Sequence, residues 1–282
     1  MPEMLEDRLR QKYRFLTKSQ KDLADYFLLQ GEEAAFSSIK KLAGQLHISE
    51  ATIVRFAKAV GYKGYPNLQQ ELQVLIRKKL APSKILQTII HKDPKKNLFQ
   101  QVYEMDAYNH TETAKANRDE TLEKVIKEII AARRIGITAH RSTYALAFLL
   151  AFFLGQLREH CEILSAGNGL LPHSLKNYGA KDLIIGISFP RYTTQTLKIL
   201  EYGKKAGCKV VAITDRPISP IGQVADTVLL ASHKSVAVFN SLVGAVTIVN
   251  LLVAGISMKR KSSLKYLKSC EPVVQHLEVF LK

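Results

Sequence analysis

The stretch "SSIKKLAGQLHISEATIVRFAKAVGYKGYPNL", Ser37 to Leu68, decides how the first third of the chain folds. Its apolar residues recur at helical rather than alternating spacing. The spacing predicts one helix from about Ile39 to Leu46, a tight turn at His47 and Ile48, and a second helix capped by Ser49. A serine in that place offers its hydroxyl oxygen to the free N–H groups of the first turn. The second helix would bury Ile53, Phe56, Ala57 and Val60, a one-sided stripe at i, i+3, i+4 and i+7. Leu42, Leu46, Ile48 and Ile53 would form the plug between the helices, with small Ala43 where they approach closely. That is the pattern of a helix-turn-helix, whose second helix enters the DNA major groove. His47 stands at a turn position where glycine is usual; histidine enters the left-handed region more readily than most residues.

The outward side of the second helix shows Glu50, Ala51, Thr52, Arg55 and Lys58. Arg55 can reach a guanine edge or a phosphate, and Thr52 a hydrogen-bond acceptor or a thymine methyl. Lys58 and Lys63, with Lys40 and Lys41, would supply phosphate contacts that set register and salt dependence. The predicted DNA-binding set is therefore Ser49, Glu50, Thr52, Arg55, Lys58 and Lys63, while Tyr62 and Tyr65 are expected to pack the helix end. Charge points the same way. The 282 residues carry 41 Lys+Arg against 25 Asp+Glu, a formal charge of +16, which suits a polyanionic partner.

Beyond about Arg134 the pattern changes. The runs "RIGIT", "DLIIGIS" and "KVVAIT" each lead toward a helical segment, and "DTVLLA" is a fourth strand-like run. Strands alternating with helices imply βαβ units and a parallel, doubly wound sheet. "HKDPKKNLF", His91 to Phe99, breaks helix continuity with Pro94 and a charge cluster, and helices are expected near Asn97–Ala116 and Thr121–Ala132. The fold class is thus an all-α helix-turn-helix domain over 1–81, a linker over 82–97, and an α/β domain over 98–282.

Cys161, Cys208 and Cys270 are odd in number and far apart, which argues against a disulfide framework or a structural zinc and fits a reducing cytoplasm. The opening "MPEMLEDRLRQKYRFL" has no apolar run of a secretory signal. "YALAFLLAFFLG", Tyr144 to Gly155, is shorter than the roughly 20 residues a membrane span needs and reads as a core helix. A cytoplasmic protein with no membrane contact is expected.

With these residues in view, "SIKKLAGQLHISEATIVRFAKAVGYKGYPNLQQEL" resembles the N-terminal domain of the RpiR family of bacterial transcriptional regulators. In that family the helical domain precedes a sugar isomerase (SIS) domain that binds phosphorylated sugars or related metabolites, and the second half of this chain resembles such a domain in order and length. The resemblance implies two ligand loops at the carboxyl ends of strands, where open α/β sheets bind. In "GITAHRSTYALA", Gly136 to Ala147, Ser142 matches the family's serine and could cap the next helix. Thr138 and His140 stand where glycines are expected, and Arg141 adds a fork of donors suited to an anion. In "GISFPRYTTQT", Gly186 to Thr196, Ser188 and Thr193 match the ends of S-x-S-G-x-T. Pro190 replaces the second serine and Arg191 the glycine, while Tyr192 brings in an aromatic ring; Thr193 or Thr194 would cap the next helix.

The implied effector site is His140, Arg141, Ser142, Ser188, Arg191, Tyr192, Thr193 and Thr194. Asp215 and Arg216 are expected to make local turn contacts, Ser219-Pro220 to open a short helix, and Ser235 and Ser241 to lie where the family's pocket closes. The tail "KRKSSLKYLK", Lys259 to Lys268, reads as an exposed basic helix. An isomerase needs a positioned acid and base, and neither loop offers a carboxylate. The expectation is a homodimeric or tetrameric regulator that binds a double-stranded operator and a small anionic, phosphosugar-like metabolite. Catalytic residues, metal and cofactor are not expected. The alternatives are a sugar-phosphate isomerase, or a basic DNA-binding protein whose second half only dimerises.

Overall fold

Helices make up all the regular structure described before residue 135 in the computed structural model, which describes residues 9, 12–29, 37–79, 82–90, 97–165, 167 and 169–280. The chain divides into two compact units, residues 1–92 and 93–282. The first holds α1 (Lys18–Leu29), α2 (Ile39–Gln45), α3 (Glu50–Ala59), α4 (Tyr65–Lys79) and α5 (Pro82–Ile90). Its core is small and tight. Leu23, Leu42, Ile53, Phe56, Ala57, Val60 and Leu68 are fully buried, and the Phe27 and Phe56 rings stack at 5.6 Å with 3° between their planes. The predicted linker, 82–97, therefore contains a helix. Pro82 occupies its first position, where a proline loses no hydrogen bond and its fixed φ suits the helix. Residues 91–96 lie outside the described residues.

The second unit opens with α6 (Leu98–Ala116) and α7 (Asp119–Ala131), then alternates strands and helices: β1 (Ile135–Ala139), α8 (Tyr144–Leu157), β2 (Cys161–Ile163), α9 (Leu171–Leu175), β3 (Leu183–Ile187), α10 (Thr194–Lys205), β4 (Lys209–Thr214), α11 (Pro220–Val224) and β5 (Thr227–Leu230). Two helices, α12 (Val243–Lys259) and α13 (Ser262–His276), complete it. The five strands are all parallel in the order β2-β1-β3-β4-β5. Strand order reverses between β1 and β3, which is where such sheets bind ligands. One face of the sheet packs Ile137, Ile185 and Ile213 against α8 and α12 residues such as Leu150 and Ile248. The other packs Ile184, Val210 and Ala212 against Ile199 and Leu200 of α10. β2 was not anticipated: it is three half-buried residues with a glutamate in the middle, too short to alternate.

The β5 edge is closed by side chains. Asn117 donates to Leu230 O at 2.7 Å and accepts from Leu230 N at 2.8 Å, so one amide takes the place of a neighbouring strand. Thr113 Oγ1 accepts from Ser232 N at 3.0 Å, and buried Asn109 accepts from Lys234 N and Ser232 Oγ while donating to Lys234 O. Asn109 and Thr113 on α6 and its C-cap Asn117 recur every four residues, along one face of the helix and its end. This polar face ties α6 to the chain after β5 and blunts an edge that would otherwise invite pairing. α12 approaches so closely here that a β-carbon on Gly244 would lie 2.4 Å from Ser232 O and 2.5 Å from Thr113 Oγ1.

Among the described residues no single helix is long and apolar enough to cross a membrane. The basic tail departs from expectation at two positions. Arg260 donates to Leu157 O at 2.6 Å, closing the end of α8, and Lys259 pairs with Glu123.

Candidate functional site

In the first unit the turn between α2 and α3 follows from three local devices. Ser38 caps α2 by accepting from Lys41 N, and Ser49 caps α3 by accepting from Thr52 N, each at 3.2 Å. Between them His47 takes the left-handed conformation, φ +52°, and Ile48 N donates back to Ala43 O at 3.0 Å. The chain thus reverses direction within the few residues between the helices. The burial stripe leaves Glu50, Ala51, Arg55 and Lys58 exposed on the other side of α3, with Lys63 exposed just before α4. Thr52 is half-buried and its hydroxyl lies 2.9 Å from Ser49 Oγ, so it also stiffens the cap. Tyr65 packs as expected: it is 3% exposed, its hydroxyl donates to Ser37 O, and burial pushes it up to about 12. What α3 presents is one carboxylate at its N-terminus and two cations farther along, carried on a rigid two-helix frame.

In the second unit the two predicted loops leave the carboxyl ends of β1 and β3, strands that pair directly, Ala139 opposite Ile187. The loops are joined at their base. His140 Nδ1 lies 2.9 Å from Thr196 Oγ1, which lies 2.8 Å from Thr193 Oγ1. Thr193 N donates to Ser188 Oγ at 3.4 Å, and Ser188 is 2% exposed, so it braces the turn from inside. Thr193 occupies the N-cap of α10 but makes no side-chain cap bond. The first turn of α10, which begins at Thr194, is therefore not occupied by a capping side chain, the arrangement that receives anions at helix N-termini.

Sequence reasoning needed correction at Ser142, and the structure adds detail at Tyr192, Arg191 and Arg141. Ser142 caps no helix: a 3-10 turn at Arg141–Thr143 precedes α8, Thr143 is the N-cap without a side-chain bond, and Ser142 is exposed. The Tyr192 hydroxyl donates to Asp215 Oδ1 at 2.6 Å, fixing the ring to the loop after β4; burial, then that bond, raises its proton affinity. Arg191, where the resemblance implies a glycine, takes up a backbone conformation that favours glycine. Arg191 has φ +67° and Arg141 φ +61°, both left-handed.

Burial holds His140 below the usual imidazole value, so the folded state favours its neutral form. Its contribution to stability is complete above the unfolded value of about 6.5 and is lost as pH falls toward the lower folded value. Melting curves at pH 7.5 and 5.5 should show a smaller acid-induced drop for His140→Gln than for the parent; equal drops would sink this assignment.

One cavity of about 470 Å³ was not anticipated. It lies beside β2 and the first residue of α8, lined by Tyr144, Glu162, Leu164, Ser165, Leu171 and Ser174. Glu162 there accepts from Tyr178 at 3.0 Å. Its signal was hidden because β2 itself was.

Comparison with known proteins agrees with both halves. Residues 3–79 match the model of the helix-turn-helix domain of the rpiR family, and residues 128–255 match the SIS domain. An HTH-type transcriptional regulator of Haemophilus influenzae is 29% identical over 79% of this chain and 77% of its own length. Another, from Escherichia coli, is 28% identical over 73% and 74%. Among solved structures, the sugar isomerase domain of an RpiR transcription factor from Sphaerobacter thermophilus is 29% identical with a TM-score of 0.60, covering 63% of this chain and 99% of that one. The Vibrio vulnificus NanR protein, complexed with ManNAc-6P, shares the fold over 97% of this chain and 98% of its own, at 22% identity and a TM-score of 0.59.

Proposed function

Because this chain belongs to the rpiR family of helix-turn-helix transcriptional regulators and carries a SIS domain, we propose that a small anionic metabolite bound above β1 and β3 modulates its hold on an operator. The observation that carries the DNA half is the left-handed His47 turn between two serine-capped helices, which leaves Arg55 and Lys58 outward on α3. The effector half is supported by the uncapped start of α10 beside Arg191 and by a NanR neighbour that holds a phosphosugar. A homo-oligomer would set two recognition helices on two half-sites about one helical turn apart, or a multiple of it. Footprinting tests this reading: a short two-fold site supports it, and uniform coverage of the DNA overturns it in favour of a basic coating protein.

The route from effector to DNA runs through the segment after β5. The Phe189 and His233 rings lie 5.7 Å apart, and Asn240 Nδ2 donates to Pro190 O at 3.2 Å, so residues 233–240 rest on the effector loop. Ser241 Oγ then donates to Asp106 Oδ1 at 2.8 Å, tying the same segment to α6, the helix that follows the junction of the two units. A ligand with different affinity for two settings of this segment biases both. Ser241→Ala should shrink the effector's influence on operator affinity by about 2- to 30-fold, the range for residues that carry coupling. Operator affinity without effector, and effector affinity itself, should change little. Unaltered coupling in a fluorescence-anisotropy titration would remove Ser241 from the route.

A further inference from the structure

We propose that the outward face shared by α8 and α12 is where a second copy of this chain docks; this rests on the reading of the protein as a homo-oligomer. The two helices pack against each other on one face of the sheet. α8 buries Leu146, Ala147, Leu150 and Leu154 inward, yet its outward side is apolar as well. Tyr144, Phe148 and Phe152 follow one another every four residues in a single stripe. All three are exposed, Phe148 and Phe152 by 55% and 52%, and the two phenylalanine rings stack at 6.2 Å. On α12, Leu251 and Met258 are exposed.

Charge is missing from both helices. The 14 residues of α8 include no Lys, Arg, His, Asp or Glu. The 17 residues of α12 include only Lys259, at the last position, and it pairs with Glu123. In the whole chain 23% of residues are charged, so this part of the surface departs sharply from the rest. A helix that is apolar all round belongs in an interior. Single exposed apolar residues need no explanation, but a continuous apolar face marks a contact.

The missing charge favours a second copy over a foreign partner or a membrane. In a two-fold interface the same patch meets itself, so a charge near its centre faces its own sign. With a formal charge of +16, two copies repel each other wherever their cations lie, and α8 and α12 offer an approach that avoids them. A foreign partner is steered and selected by complementary charges, which this face lacks. A helix that lies on a membrane carries Lys and Arg along its polar side, and α8 carries none. The size of the face also suits a dimer. Covering the three half-exposed aromatic rings removes about 300 Å² per copy, at roughly 150–250 Å² for each whole side chain. Exposed Ala145, Leu251, Ala254 and Met258 continue the face toward the ~800 Å² that each partner of a stable complex contributes.

Sedimentation velocity on the full chain tests this. The parent should sediment as a dimer or a higher assembly and dissociate on dilution. Phe148→Glu and Leu251→Glu, one on each helix, should each raise the dissociation constant by about 30-fold or more, the size of effect at central interface positions. Both positions are exposed, so circular dichroism should show the parent's helix content and separate loss of the interface from loss of the fold. Tyr202→Glu, also exposed but on α10 against the other face of the sheet, should leave the assembly intact. Unaltered assembly of either folded variant overturns the proposed face and leaves the homo-oligomer reading standing. A parent that is monomeric at every concentration, alone and on operator DNA, overturns both. A monomeric parent that floats with phospholipid vesicles overturns them in favour of a membrane contact.

Discussion

Phe56→Ala should strongly destabilise the first unit and with it weaken DNA binding. Phe56 is wholly buried and its ring lies flat on Phe27, so truncation removes both the burial and the stack. Phe→Ala changes in cores cost about 3–5 kcal/mol, against roughly 5–15 kcal/mol for the whole of a typical domain. In a unit of this size each kcal/mol moves the melting point by about 4–8 °C. The variant's helical melting transition should therefore fall by more than 10 °C by circular dichroism. Phe56→Leu, which keeps most of the volume, should recover most of that loss. A melt within about 2 °C of the parent for Phe56→Ala would show that the stack contributes little.

Much of this architecture is legible in the sequence because it is local. Ser38 and Ser49 cap helices that start immediately after them, and Ile53, Phe56, Ala57 and Val60 repeat with the pitch of the helix they stabilise. β1, β3, β4 and β5 announce themselves as apolar runs, and Ser219-Pro220 does open α11, with Ser219 accepting from Gly222 N. What is hidden depends on partners far along the chain. The amides of Asn109 and Asn117 look like solvated polar residues on α6, yet their partners lie 113 to 125 residues away at the β5 edge. Tyr192 reads as a ligand-facing ring until Asp215, 23 residues on, claims its hydroxyl. Arg191 reads as the loss of a glycine, and Arg141 as an added cation, because residue type alone does not reveal φ. Their left-handed backbone is visible only in the fold.

Arg55→Ala should do the opposite of its neighbour's truncation: leave the fold intact and weaken the operator. Arg55 is exposed on α3, one residue before Phe56 and on the other side of the helix. Alanine is a better helix former than arginine by a small margin, so the melting temperature should stay within about 2 °C. A guanidinium paired with a guanine edge contributes about 1–3 kcal/mol of discrimination, on the order of 5- to 150-fold in affinity for the specific site. Binding to unrelated DNA should fall much less, because the phosphate contacts proposed for Lys58 and Lys63 would remain. The salt dependence separates the two roles Arg55 could play. Loss of a base contact leaves the slope of log affinity against log salt unchanged. Loss of a phosphate contact lowers its magnitude by about one and weakens all sequences alike. If Arg55→Ala binds operator and unrelated DNA with the parent's ratio, then α3 does not read sequence through this residue.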